Sequence, residues 1–148
     1  MVLEINLFGP FEARWNGEVL PIRSRRAQAL LAMIALAPST CVARDRLAAT
    51  LWPDRAEGQA KASLRQELST LRRALGDAAD VLVADSTVVR LDGGSLQKDT
   101  TQRGRSEFLE GLDIRSEPFD DWRRGESAHF EKDDGLPSDQ GEQAADVR

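Results

Sequence analysis

Residues 60–76, AKASLRQELSTLRRALG, hold the chain's clearest chemical pattern. Ala60, Leu64, Leu68, Leu71 and Leu75 recur at steps of four and three, which places one apolar stripe on a helix. At about 100° per residue, Lys61, Arg65, Ser69 and Arg72 fall on an adjoining side, flanked by Gln66 and Arg73. Such a helix has two docking surfaces. The apolar one fits a protein core. The other, cationic and rich in hydrogen-bonding groups, suits a polyanion with readable edges, such as the major groove of DNA. The same pattern also describes an ordinary solvated helix face.

Other chemistries find little material. Cys41 is the single cysteine and His129 the single histidine, so neither a disulfide nor a metal centre is expected. There is no glycine-rich phosphate loop and no nucleophile–base pair. The pairs Asp120-Asp121 and Asp133-Asp134 are sequence neighbours, which point about 100° apart on a helix and form no facing dyad. The expectation is a protein that is not an enzyme and takes no cofactor. No apolar run reaches the ~20 residues of a membrane span, and MVLEINLFGP lacks a signal-peptide pattern. A cytoplasmic protein without membrane attachment is expected. The net charge of −5 is unevenly placed. Residues 1–92 carry 12 Lys+Arg against 11 Asp+Glu, whereas residues 93–148 carry 8 against 14. Within the first part, cations cluster at Arg23–Arg26 and on 60–76, and for phosphate contact a local patch matters more than the total.

The elements that must hold the 60–76 helix can be read on either side of it. Residues 2–8 are strand-like and end at Gly9-Pro10; Phe11, Ala13 and Trp15 then alternate with polar residues. Asn16-Gly17 suits a tight hairpin turn, with Val19, Leu20 and Ile22 on the return strand. Ser24 can cap a helix through RRAQALLAMIALA that buries Ala27, Leu30, Leu31 and Ile34 and ends at Pro38. Residues 40–42 read as a short extended link and 44–51 as a second helix. A polar loop spans 53–59, and Gly76 stands where a left-handed cap would end the third helix. Residues 81–84 and 87–91 form a second hairpin over Asp85-Ser86. Beyond Asp92, GGSLQKDTTQRGRS reads as linker, 106–112 as about two helical turns, 117–131 as a helix weakened by Gly125, and 132–148 as a disordered acidic tail. Trp15 is expected over the opening sheet, Trp52 and Cys41 in the core, and Trp122 on a partner surface.

Sheet, two helices, a long basic helix and a hairpin resemble the OmpR/PhoB-type winged helix. LFGPFEARWNGEVLPI followed by RRAQALLAMIAL, then RDRLAATLWPD and AKASLRQELSTLRRALG, resemble the SARP-type regulators (Streptomyces antibiotic regulatory proteins). FLEGLDIRSEPFDDWRRGE resembles part of the bacterial transcriptional activation domain that follows in that family. The resemblance implies an α+β fold: a winged helix with an N-terminal antiparallel sheet, three helices and a C-terminal β-hairpin wing. It divides the chain into a winged helix at 1–92, a linker and activation-domain fragment at 93–131, and the tail at 132–148. It departs from the family in lacking a first helical pair after the wing, and in an acidic wing tip, where Asp85 would repel phosphate.

The function so implied is sequence-specific DNA-binding transcription regulation, with recognition helix 60–75 in the major groove. The partners would be double-stranded DNA at promoter direct repeats and RNA polymerase, and the protein a monomer when free that can pair on DNA. Arg65, Gln66, Ser69 and Thr70 are placed to approach base edges, because Arg pairs bidentately with guanine and Gln with adenine. Glu67 is either an acceptor for a cytosine amino group or a solvated or Arg-paired carboxylate. Lys61, Ser63, Arg72 and Arg73 are phosphate candidates, the last two also matching the helix C-terminal dipole. Arg23, Arg25 and Arg26 at the first helix start, and Arg90 on the hairpin, complete the set. The alternative is a winged-helix protein-interaction module with little DNA affinity, a remnant of a cut-down regulator.

Overall fold

The computed structural model describes residues 2–99 and 104–134. Strand β1 (Leu3–Asn6) pairs antiparallel with β2 (Glu12–Trp15), and β2 with the short β3 (Glu18–Val19). The turn between β2 and β3 holds Asn16 at φ 52° and Gly17 at φ 87°, the left-handed pair that the Asn-Gly sequence favours. Alternation sends Leu3 and Ile5 into the core and leaves Glu4 and Asn6 half-exposed.

Helix α1 (Arg25–Leu36) follows, capped by Ser24, whose Oγ accepts the Ala27 N–H. Eight of its residues are buried, so it is the central helix rather than an amphipathic one. Strand β4 (Cys41–Ala43) leads directly into α2 (Arg44–Leu51), and α3 (Glu57–Leu75) begins three residues before the expected start. Ala60, Leu64, Leu68, Leu71 and Leu75 are its buried residues, the stripe read from the sequence. Gly76, at φ 56°, ends it with its N–H donated to the Arg72 carbonyl. Strands β5 (Leu82–Ala84) and β6 (Val88–Leu91) form the wing hairpin, and β4 joins it as a third strand in the order β4-β6-β5. The α+β winged helix is therefore present, with β4 tying the wing to the helices.

Three corrections fall after the wing. Within the stretch read as linker, Leu96–Asp99 is strand β7, parallel to β1 in the register Leu3↔Leu96 and Asn6↔Asp99. The outer edge of β1 offers unpaired backbone groups, and the returning chain satisfies them. Residues 106–112 are not helical. Leu109 (φ 49°) and Gly111 (φ 74°) stand in the left-handed region, and the Leu109 N–H donates to the Leu7 carbonyl at 2.8 Å instead of to its own turn. Trp122 is half-buried inside the protein, stacked on Phe119 with ring centroids 5.4 Å apart. The expected helix over 117–131 is α4 (Glu117–Asp134), started by Ser116, whose Oγ accepts the Phe119 N–H and donates to the Thr50 carbonyl. Phe108, Leu109, Leu112, Ile114 and Phe119 belong to the same hydrophobic cluster as β1, α1, α2 and α3. The rest of the acidic tail, 135–148, lies outside the described residues. Cys41, expected in the core, is only half-buried, because it sits in the edge strand β4 opposite Arg90. Trp52 is buried and Trp15 packs against the sheet side of the core, as expected.

Candidate nucleic-acid interface

With its stripe buried, α3 presents three other sides. Gln66, Ser69 and Arg73 point outward and are exposed. Lys61 and Arg65 turn toward the wing and line a groove of about 340 Å³ with Arg44, Asp45, Asp85 and Ser86; Arg72 shares their flank and is half-buried. Ser63, Glu67 and Thr70, all half-buried, lie on the third side.

The polar side chains on α3 divide by what already holds them. Arg65, Gln66 and Ser69 make no hydrogen bond or ion pair among the described residues, so their donors and acceptors are available to a ligand. Arg73 donates to Thr70 Oγ1 at 3.4 Å, a contact on the surface that is easily exchanged. Arg72 reaches the Ala79 carbonyl at 3.5 Å, consistent with its second reading as a group that serves the helix end. Lys61 Nζ lies 3.7 Å from Asp45 and 3.5 Å from Glu57, so two carboxylates offset its charge. Ser63 Oγ accepts from Arg55, a cation in the loop before α3.

Two residues have employments that differ from expectation. Glu67, half-buried, is not paired with an arginine among the described residues: Ser24 Oγ donates to its Oε2 at 2.7 Å, fastening α3 to the cap of α1. Arg26 turns inward, away from the surface expected to meet phosphate. Its Nε donates to the Leu51 carbonyl at 3.1 Å, its Nη2 to the Ile114 carbonyl at 3.4 Å, and its guanidinium stands 5.8 Å from the Trp52 ring centre. Carbonyls left over at the end of α2 need such a donor. Arg23 and Arg25 remain exposed beside it, with no side-chain partner among the described residues.

The wing tip is built by its aspartate. Asp85 Oδ1 accepts the Thr87 N–H at 2.7 Å and the Val88 N–H at 2.8 Å. These two backbone donors, Val88 first, hold the exposed Asp85 carboxyl below its ordinary value, helped by the charges of Arg44 and Arg90. The negative tip that would repel phosphate is thus partly offset by the charges of Arg44 and Arg90. Arg44 also bonds the wing directly: its N–H donates to the Thr87 carbonyl at 2.8 Å and its Nη1 to the Asp85 carbonyl at 3.1 Å. Neither contact is visible in the sequence, where Arg44 is one cation in the polar run Arg44-Asp45-Arg46.

No protein-family model matches the chain. It is similar to the solved structure of Mycobacterium tuberculosis EmbR in complex with a low affinity phosphopeptide, with a TM-score of 0.53 and 29% identity, over 64% of this chain and 26% of that one. It is 30% identical over 100 residues to the transcriptional regulatory protein MoaR1 of Mycobacterium bovis and of Mycobacterium tuberculosis, covering 65% of this chain and 32% of each relative. The chain carries an α+β winged helix similar to part of these proteins. It spans about a third of the length of the curated relatives it matches. Those relatives are named as regulators of transcription rather than as enzymes. Among the described residues of this winged helix there is no cluster of three or more potential metal ligands, and no helix is long and apolar enough to cross a membrane.

Proposed function

We propose that the chain is a sequence-specific DNA-binding transcriptional regulator that lays α3 in the major groove. One observation carries the reading. The residue types best suited to base edges, Arg65, Gln66 and Ser69, are exposed and unpartnered among the described residues, on a helix whose opposite stripe is anchored in the core. Arg65 and Gln66 supply bidentate pairing, and Ser69 a hydroxyl that serves either base type. Arg73, Arg72, Arg90, Arg25 and Arg23 supply phosphate contacts around them. Lys61 contributes less, since Asp45 and Glu57 already offset its charge. Thr70 and Ser63 follow at the margin, and Arg26 leaves the set. Promoter direct repeats, pairing of monomers on them, contact with RNA polymerase and a cytoplasmic location extend this reading from the SARP-type resemblance.

The carboxylates of Asp45 and Glu57 near the start of α3 favour a second reading, a module that binds a basic protein surface. One experiment separates the two. The whole chain is used to select bound duplexes from a random pool, and a selected duplex is titrated by fluorescence anisotropy at several salt concentrations. DNA binding predicts an enriched site and a log K that falls linearly with log[salt]. An unenriched pool, or affinity indifferent to salt, refutes it and leaves the protein-binding module.

A further inference from the structure

We infer that Arg44 is a positioning residue that latches the wing tip to the start of α2, so that the wing and α3 present one preformed groove. Four contacts meet at this point. The Arg44 N–H donates to the Thr87 carbonyl, and the Arg44 side chain donates to the Asp85 carbonyl. Asp85 Oδ1 receives the Thr87 and Val88 N–H groups. The hairpin tip is therefore held from inside by the Asp85 carboxylate and from outside by α2. Strand β4 supports the wing only as far as the pair Ala43↔Val88, and beyond it the tip residues Asp85, Ser86 and Thr87 are all exposed, without apolar packing. Arg44 supplies the tether that packing does not.

The placement has a functional side, which rests on the DNA-binding reading above. Arg44 and Arg65 line the same groove with Ser86 and Asp85. Holding the tip there fixes where Asp85 and Ser86 stand relative to Arg65 on α3. It also keeps the Asp85 carboxylate beside two cations rather than turned toward a phosphate. A guanidinium suits the task because its fork can hold a carbonyl while its charge acts on the neighbouring carboxylate.

Hydrogen exchange of the free protein, followed residue by residue by NMR, tests the latch without DNA. Arg44→Ala should speed exchange of the Thr87 and Val88 amides about three- to tenfold, the factor expected for one lost hydrogen bond, and leave the Leu68 and Leu71 amides of α3 unchanged. Arg44→Lys should lie between Arg44→Ala and the parent. Asp85→Ala should loosen the same two amides by the other route. Unchanged tip exchange in Arg44→Ala overturns the latch. Loosening throughout α3 as well overturns it too, since Arg44 would then serve general stability. The same variants are then titrated with a selected duplex at several salt concentrations. A tether predicts weaker binding in Arg44→Ala in step with tip loosening, and recovery in Arg44→Lys only as far as exchange recovers. Full recovery of affinity in Arg44→Lys while the tip stays loose marks Arg44 as a plain phosphate contact and overturns positioning. Tip loosening with unaltered affinity overturns the link to binding. Failure of the parent chain to bind any duplex refutes the DNA-binding reading, and the exchange data then judge the latch alone.

Discussion

Arg26 offers the sharpest test, because sequence and structure give it different work. A cation in the cluster Arg23–Arg26 at a helix start suggests phosphate contact, whereas the structure makes it a strut joining α1, the end of α2 and the segment before α4. Arg26→Ala removes a charge-assisted hydrogen bond to the Leu51 carbonyl, for which about 1.5–3 kcal/mol is typical. The bond to Ile114 is long at 3.4 Å and adds little. The contact with Trp52 adds roughly 0.5–1 kcal/mol. Because the side chain is half-buried, water partly compensates the freed carbonyls, and the expected loss is about 2 kcal/mol. For a domain of this size that lowers Tm by roughly 6–10 °C. Urea unfolding should show a smaller midpoint with an unchanged slope. Arg26→Lys is the decisive companion. An ammonium can serve a phosphate as a point charge but cannot direct Nε and Nη2 at two carbonyls. The strut therefore predicts that Lys recovers less than half the lost stability. Stability within about 0.5 kcal/mol of the parent in Arg26→Ala, together with a salt slope of DNA binding reduced by about 0.9, would refute the strut and restore the phosphate contact.

The remaining expectations concern the recognition helix, the segment after the wing and the wing tip. Arg65→Ala should relax preference at one base pair by about 1–3 kcal/mol, whereas Arg73→Ala should weaken all duplexes alike and lower the salt slope by about 0.9; selection from a random pool with each variant reads the difference. Phe119→Ala, at a fully buried site in α4, should cost about 3–5 kcal/mol in urea unfolding, a loss that a detached helix would not show. Asp85 has its pKa lowered from 3.8 on folding, so its stabilisation is complete above that value and is lost as pH falls through the folded value. Asp85→Asn keeps the acceptor oxygen without the titration. The stability gap between the parent and this variant should shrink on acidification from about pH 5 to about pH 2.5, and a constant gap would contradict the sign.

What could be read from the sequence was whatever is fixed locally. The stripe Ala60–Leu75, the Ser24 cap, the Asn16-Gly17 turn and the Gly76 terminus depend on helix period, capping and left-handed backbone, all set within a few residues. What was not legible depends on distant partners. Strand β7 has a half-exposed sequence, LQKD, with no strong alternation, and becomes a strand because β1 has an open edge. Phe108, Leu109 and Leu112 are spaced well enough for a helix, yet the Leu7 carbonyl draws the Leu109 N–H into a sheet-like contact. At the site, the outward side of α3 follows from periodicity alone. Glu67, Arg26 and Arg44 do not, because the partner of a polar side chain is chosen by tertiary proximity. Polar residues on one helix face are alike in sequence, and only packing sorts those that hold the fold from those left for a ligand.

The parallel pairing of β1 with β7 also bears on the order of folding. Strand β1 lies between a neighbour from the same end of the chain and one that arrives only after the wing. Closing such a loop costs conformational entropy before any ladder bond forms, although the cost grows only logarithmically with loop length. Once the helices and wing are in place, most of that loop is already compact, and the remaining closure is short. The β1–β7 pairing is then the late-zipping part of the domain, and contacts of such long sequence separation slow folding. Until Leu96 docks, Leu3 and Ile5 lie on a strand with one open edge, the feature of a nascent chain most prone to pair with the wrong neighbour.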